Sequence, residues 1–139
     1  MLVLITNRDK KMIQNAISVS ELSDFPKYKI GCVIAQKNKV LSASFNSTKT
    51  HPLQKKMNKE RFEVDNTPHS LHAEIHALSY LMDCDVDWKG SVLYTARKRK
   101  DGHYGMARPC PSCMKLIKGL GIRNIVYTTD FGIAQEEIE

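Results

Sequence analysis

The chain has few of the features that mark membrane, fibrous or disordered proteins. None of its apolar runs approaches the ~18–20 residues needed to span a bilayer, so no membrane partner is expected. Met1-Leu-Val-Leu-Ile5 is too short for the core of a secretory signal and has no basic segment before it, which makes the cytoplasm the expected location. There is no internal repeat, low-complexity segment or linker, so residues 1–139 are read as one domain, long enough to bury a proper core. Cysteine is limited to four residues, which in a reducing compartment are metal ligands or core residues rather than disulfides. Aromatic residues make up only 7%, which leaves few platforms for stacking bases.

The remaining composition is that of an ordinary globular protein, 42% hydrophobic and 26% charged. Lys+Arg 21 against Asp+Glu 15 gives a formal net charge of +6. That balance favours an anionic partner, whether a nucleotide phosphate, a nucleic acid or an acidic protein, and does not choose among them.

Thr6-Asn7-Arg8-Asp9 has the cap and early acid of a helix start, and Met12, Ile13, Ala16, Ile17 and Leu22 recur at helical spacing, which predicts a helix over 8–22. Residues 28–36 and 40–45 read as strands of a hairpin turning at Lys37-Asn38-Lys39, with Cys32 as a small buried hydrophobe. The stretch 46–70 is polar, rich in Lys and His and broken by Pro52 and Pro68. It reads as a long loop with room for a short helix near 54–60. A second helix is predicted over 71–82, with Leu71, Ile75 and Leu78 on its stripe, and Cys84 follows in an acidic loop with no assigned role. Residues 91–99 form a third strand ending in the basic tip Arg97-Lys98-Arg99-Lys100, and Asp101-Gly102 signals a hairpin returning over 103–106. A third helix over 110–118 closes at Gly119 or Gly121, a strand follows over 124–127, and the tail 131–139 has room for one helical turn. Helices alternating with strands after an opening hairpin predict a three-layer α/β sandwich with a central mixed sheet flanked by helices. Strands joined through the second and third helices should lie parallel.

Two helix starts carry chemistry. Thr67-Pro68-His69-Ser70-Leu71-His72-Ala73-Glu74 places a histidine and a glutamate two residues apart, and Pro109-Cys110-Pro111-Ser112-Cys113 places two thiols three apart. Thiols at that spacing project from one helix face, and the helix N-terminus, with its unpaired amides and positive dipole, favours thiolate. Cys110 and Cys113 with His72 make three zinc ligands, leaving the fourth tetrahedral position open for water. Residues two apart on a continuous helix point in opposite directions, so His72 and Glu74 share a pocket only if the helix begins near His72. Glu74 then serves better as a proton carrier than as a ligand. A closed structural site completed by His76 is the competing reading, and so is a redox role for the cysteine pair alone. For His76 a helix-packed, hydrogen-bonded role is the alternative. His51, His69 and His103 read as solvated loop residues, with His51 or His69 also placeable at a pocket mouth.

His72-Ala73-Glu74 and Pro109-Cys110-Pro111-Ser112-Cys113 match, without gap or substitution, the H-x-E and P-C-x-x-C signature of zinc-dependent deaminases. The chain resembles the cytidine/deoxycytidylate deaminase superfamily, and is most like a deoxycytidylate (dCMP) deaminase. The resemblance covers about residues 8–128 and includes the element order. It implies a cytidine deaminase-like fold with one catalytic Zn²⁺ per chain, held by His72, Cys110 and Cys113, and Glu74 as the proton carrier. It further implies that Asn46 contacts base and sugar, and that a backbone amide such as that of Ala73 binds a ring carbonyl. A homo-oligomer is implied as well, in which neighbours help to line the pocket.

The first reading is a free-nucleotide enzyme converting dCMP to dUMP and ammonia. The basic hairpin ends directly at the cysteines, which makes one or more of Arg97, Lys98, Arg99 and Arg108, or Lys49, candidates for neutralising the substrate phosphate. Protection of an exposed strand edge is the alternative role of the basic tip. His76 and Ser44-Phe45-Asn46-Ser47 depart from the free-nucleotide pattern. His72-Ala73-Glu74-Ile75-His76-Ala77-Leu78 is instead similar to the motif of tRNA adenosine deaminases and of riboflavin-pathway deaminases, which leaves a nucleic-acid substrate (tRNA or single-stranded DNA) as the alternative. A non-catalytic zinc module is the third reading, and the intact Glu74 argues against it.

Overall fold

The computed structural model describes residues 5–49, 52–54, 56 and 71–138. The first helix, α1 (Asn7–Ser20), starts where its cap chemistry requires: the Thr6 hydroxyl accepts from the Asp9 amide and the Asp9 carboxylate accepts from the Thr6 amide, each at 3.1 Å. Met12, Ile13, Ala16 and Ile17 are buried along one face, while Leu22 lies beyond the helix end and is 68% exposed. Strands β1 (Ile30–Gln36) and β2 (Lys39–Phe45) form the expected antiparallel hairpin, and Lys37 takes the left-handed turn conformation at φ 56°. Residues 52–54 are helical, and most of the short helix expected near 54–60 lies outside the described residues.

The helix that follows, α2 (Ala73–Ser79), is shorter than its apolar stripe suggests; the chain leaves the helix at Tyr80, and Met82 is exposed. Strand β3 (Ser91–Lys98) turns through Asp101-Gly102 into β4 (Tyr104–Gly105), a return strand of two residues rather than four. Pro111 opens α3 (Pro111–Leu120), and Gly121 closes it in the left-handed conformation at φ 104°, which only glycine adopts freely. Strand β5 (Asn124–Thr129) follows. The tail is not helical: it turns back as β6 (Gly132–Glu137), antiparallel to β5, because the open edge of β5 offers backbone groups that a helical turn would leave unpaired.

The sheet order is β2-β1-β3-β5-β6, with β4 on the end of β3. β3 and β5, joined through α3, pair in parallel as expected. β2 and β3, joined through α2, run in the same direction but are separated by β1, which pairs antiparallel with both. Strand alternation separates two cores. Cys32, Ile34 and Leu93 face α2 and α3, while Val33, Ala35 and Tyr94 face α1. The result is the three-layer sandwich with a mixed central sheet. Among the described residues no helix is long and apolar enough to cross a membrane.

The layers approach most tightly at Gly31. A Cβ there would lie 1.8 Å from the Ala16 carbonyl oxygen and 2.9 Å from the Ser20 amide nitrogen, both backbone atoms of α1. Because neither atom can rotate away, Gly31→Ala is expected to cost about 3 kcal/mol, at the upper end of overpacking effects. This would show as a lower urea midpoint at unchanged m-value. An unchanged midpoint would mean that α1 does not lie this close to β1.

Candidate active site

Each chemical group of the site sits at a helix start. His72 is the N-cap of α2, with extended backbone (φ −77°, ψ 150°), and Cys110 is the N-cap of α3 (φ −71°, ψ 167°). Neither side chain caps its own helix. Because His72 lies outside the helical repeat, it and Glu74 escape the opposed directions that a continuous helix would impose. The His72 amide donates to Oε1 of the fully buried Gln54 at 3.1 Å, which fixes the N-cap geometry. Gln54 carries no sign of this role in the sequence, being one polar residue in a polar stretch.

The β3–β5 parallel pair and the α2–α3 layer bring the two starts together. His72 Nδ1 lies 3.3 Å from Cys113 Sγ and 3.4 Å from Cys110 Sγ, and the three donor atoms all fall within 4.8 Å of one another. Tetrahedral zinc with ordinary Zn–N and Zn–S bonds sets N···S edges of about 3.6 Å, so this donor set has the size and chemistry of a zinc site. Among the described residues it is the cluster of His, Cys, Asp and Glu groups that could hold a metal ion. Ser112 Oγ lies 3.2 Å from Cys110 Sγ. The hydrogen bond from Cys113 holds the Cys110 thiol well below its usual range, with further help from His72 and Ser112 and against the effect of burial. Cys113 is raised, first because its proton is the one shared with Cys110 and then because it is buried beside Glu74. The pair therefore reaches a thiolate first at Cys110.

Glu74, in the first turn of α2, is 5% exposed and lines the cavity beside His72 and Cys110. Burial raises its pKa, and the neighbouring His72 partly offsets this. Cys32, expected as a buried hydrophobe, lies fully buried beneath, and burial together with the charge of Glu74 raises its thiol pKa far above the usual range. His76 is not available as a fourth ligand. Its Nδ1 donates to the Phe45 carbonyl at 2.8 Å, which leaves Nε2 to accept from the Tyr80 hydroxyl at 2.9 Å. This is the hydrogen-bonded, helix-packed role.

The cavity in front of Glu74 has a volume of about 200 Å³ and apolar walls from Phe25, Ile30, Leu71 and Met106. Of the residues singled out in the sequence, His72, Ala73, Glu74, Asn46, Arg97, Arg108 and Cys110 line it. Lys49 is exposed and Arg99 lies beyond Arg97, and neither is in its lining. Asn46 is buried with both side-chain groups engaged: Oδ1 accepts from the Ile30 amide at 2.9 Å and Nδ2 donates to the Tyr28 carbonyl at 3.1 Å. Arg97 lies over the Tyr28 ring, 5.3 Å from its centroid. Arg108 donates through Nε and a terminal nitrogen to both oxygens of Glu136, at 2.9 and 2.8 Å, and Tyr127 also donates to that carboxylate. This ion pair holds the Glu136 pKa below its ordinary value and raises that of Arg108. Arg99 pairs with Asp101 at 3.4 Å and Asp130 at 3.7 Å. Exposed His103 lies 3.4 Å from Asp101, Cys84 lies at the surface, and His51 and His69 fall outside the described residues. The sequence reading missed Phe25 and Tyr28, which stack at 4.9 Å between centroids in an irregular segment where no periodicity marks them.

No curated protein matches the chain in sequence. Among solved structures, dCMP deaminase from the cyanophage S-TIM5 in apo form superposes with a TM-score of 0.63 at 23% identity, covering 87% of this chain and 82% of that one. The same phage enzyme in complex with dCMP and dUMP gives 0.64 at 19% identity, covering 91% and 85%. Cytidine deaminase from Burkholderia pseudomallei gives 0.65 at 14% identity, covering 92% and 91%. These likenesses show the fold. The family model for the cytidine and deoxycytidylate deaminase zinc-binding region matches residues 6–129, spanning α1 to β5 and both helix starts. The chain belongs to that deaminase family.

Proposed function

We propose that the chain, as one domain over residues 1–139, catalyses zinc-dependent hydrolytic deamination of a cytosine nucleotide, with dCMP to dUMP plus ammonia as the reaction. The observation that carries this reading is the convergence of His72, Cys110 and Cys113 beside a buried Glu74 that lines a cavity. His72, Cys110 and Cys113 would hold the metal. Zinc bound there supplies Lewis acidity, which makes a water acidic enough to serve as nucleophile near neutral pH.

The chain's own residues supply the proton traffic and the fit. Glu74 takes a proton from the attacking water and returns protons to the ring nitrogen and to the departing amino group. In sum, water adds oxygen at the amino-bearing carbon and ammonia leaves. A carboxyl whose pKa burial raises suits this role, because proton transfer is most efficient when the carrier's pKa moves towards the operating pH. The Ala73 amide, in the first turn of α2 where no intrahelical acceptor exists, is assigned to the ring carbonyl. Asn46 retains one Nδ2 hydrogen beyond its bond to Tyr28, and this is assigned to base or sugar. Among the phosphate candidates, Arg97 is favoured over Arg108, whose charge Glu136 already meets. A cytoplasmic location and a homo-oligomer that completes the pocket belong to the same reading. A nucleic-acid substrate is the second reading, favoured by the basic surface beside Arg97.

The test is incubation of the zinc-loaded protein with dCMP, cytidine, an adenosine-containing tRNA loop and single-stranded DNA, following base conversion. Conversion of dCMP is the expected result. Turnover of adenosine alone would overturn the cytosine assignment, and turnover of nothing would leave a zinc-binding module.

A further inference from the structure

The ladder between β3 and β5 stops at Thr95–Tyr127, although the two strands run on to Lys98 and Thr129. The chain leading to Cys110 lies in the fork that this leaves. There the Ala107 amide donates to the Thr128 carbonyl at 3.0 Å. The Thr95 hydroxyl donates to the Ala107 carbonyl, and the Thr128 hydroxyl to the Gly105 carbonyl, each at 2.7 Å. The Thr128 hydroxyl also accepts from the Arg97 amide at 3.0 Å, so it is engaged as donor and as acceptor. Both threonines are fully buried.

The segment held in this way is a wall of the cavity. Gly105, Ala107 and Pro109 are buried while Met106 and Arg108 are exposed, the alternation of an extended chain, and Met106, Ala107 and Arg108 all line the cavity. The rest of the wall's support is slight. β4 pairs with β3 over two residues only, and the hairpin tip beyond it, Lys100 to His103, is exposed. So short a ladder specifies register weakly, and a slip of one residue would exchange the side chains facing the cavity with those facing the fork. The two hydroxyls pin carbonyls two residues apart, which is the strand repeat, and so select one register. Arg97 depends on the same wall. A Cβ on Gly105 would lie 3.0 Å from Arg97 Cδ and 3.1 Å from its Nε, so the arginine runs directly against the wall backbone on its way to the cavity.

We propose that Thr95 and Thr128 are positioning residues: their hydroxyls lock the register of the wall 105–108 and, through Gly105, the course of Arg97, and thereby set the fit of the nucleotide. Neither threonine lines the cavity, so both act through the wall. The metal donors are held separately. The Cys110 carbonyl accepts from the Met114 amide at 2.8 Å in the first turn of α3, and the His72 amide is fixed by Gln54. Loosening the wall should therefore weaken binding of the substrate and spare the metal. The assignment rests on the deaminase reading for turnover, but not for binding of a nucleotide.

The experiment uses Thr95→Val and Thr128→Val, which keep the shape of the side chain and remove the hydroxyl. The zinc-loaded parent and variants are compared for kcat and KM with dCMP, for the Kd of dCMP by equilibrium titration, and for metal content. Each valine variant should keep the parent's zinc and raise KM and Kd roughly tenfold, as expected if the binding-competent register falls to about a tenth of the population. With kcat nearly unchanged, the loss is one of binding that substrate and transition state share. Thr128→Ser, which restores the hydroxyl, should return both constants to the parent's values. A merely structural role would instead lower the melting temperature and the active fraction, and hence the apparent kcat, at unchanged KM and Kd. That pattern in both valine variants would overturn the proposal. Should the valine variants fail to fold, hydrogen exchange in the parent decides: the Ala107 amide should exchange as slowly as those of the β3–β5 ladder, and exchange at the rate of the exposed hairpin tip would overturn the lock. If the parent deaminates nothing but binds dCMP in a hydroxyl-dependent manner, the deaminase reading fails and the lock stands. If it converts dCMP and both valine variants keep the parent's KM, the lock fails and the deaminase reading stands.

Discussion

Glu74→Gln is expected to retain zinc and fold while losing at least about 10²-fold in kcat, the scale of a single general acid/base. The amide keeps the shape of the side chain and its place beside His72 and Cys110, but it cannot carry a proton between water and the base. A second readout separates this from structural damage. The carboxyl is 5% exposed, and its pKa is raised chiefly by burial, so its charged form is held out of water without full compensation. Removing that charge should leave the melting temperature unchanged or raise it. Lower activity with equal or higher stability is the pattern of a group retained for chemistry at some expense to the fold. A variant that turns over at the parent rate would remove Glu74 from the mechanism. One that loses activity and zinc together would make it a ligand instead.

The parts of the molecule that are legible in the sequence are those encoded within a few residues. Thr6 and Asp9 announce α1 because a capping box is local, and Lys37-Asn38-Lys39 and Asp101-Gly102 announce turns for the same reason. The metal donors are legible because helix starts at His72 and Cys110 are signalled by neighbouring prolines and by motif spacing. What escapes depends on partners distant in sequence. Gly132-Ile133-Ala134-Gln135-Glu136-Glu137 has no alternating pattern and reads as a tail with room for one helical turn, yet it becomes β6 because β5 presents an open edge. That strand also decides the state of Arg108, which looks like a phosphate ligand in isolation and is held by Glu136 in the fold. Phe25 and Tyr28, which line the cavity, lie in a segment tied to Asn46 some twenty residues later, so no local signal marks them.

Cys113→Ala is expected to abolish stoichiometric zinc binding and to destabilise the chain well beyond the effect of deleting one buried sulfur. Cys32→Ala provides the comparison, because both side chains are fully buried in the same core cluster and only Cys113 belongs to the donor set. The sulfur deletion alone should cost about 1–2 kcal/mol at either position, as for other small buried truncations. An ion bound only by the folded state adds about 4 kcal/mol when present at a thousand times its dissociation constant. The two variants should therefore differ by roughly that amount in zinc-replete buffer and converge when a chelator strips the parent and Cys32→Ala. Metal content gives the answer independently of stability: about one zinc per chain in Cys32→Ala and close to none in Cys113→Ala. If Cys113→Ala still carried a full zinc equivalent, the donors would have to be found elsewhere, and the alignment of the two helix starts would need another explanation.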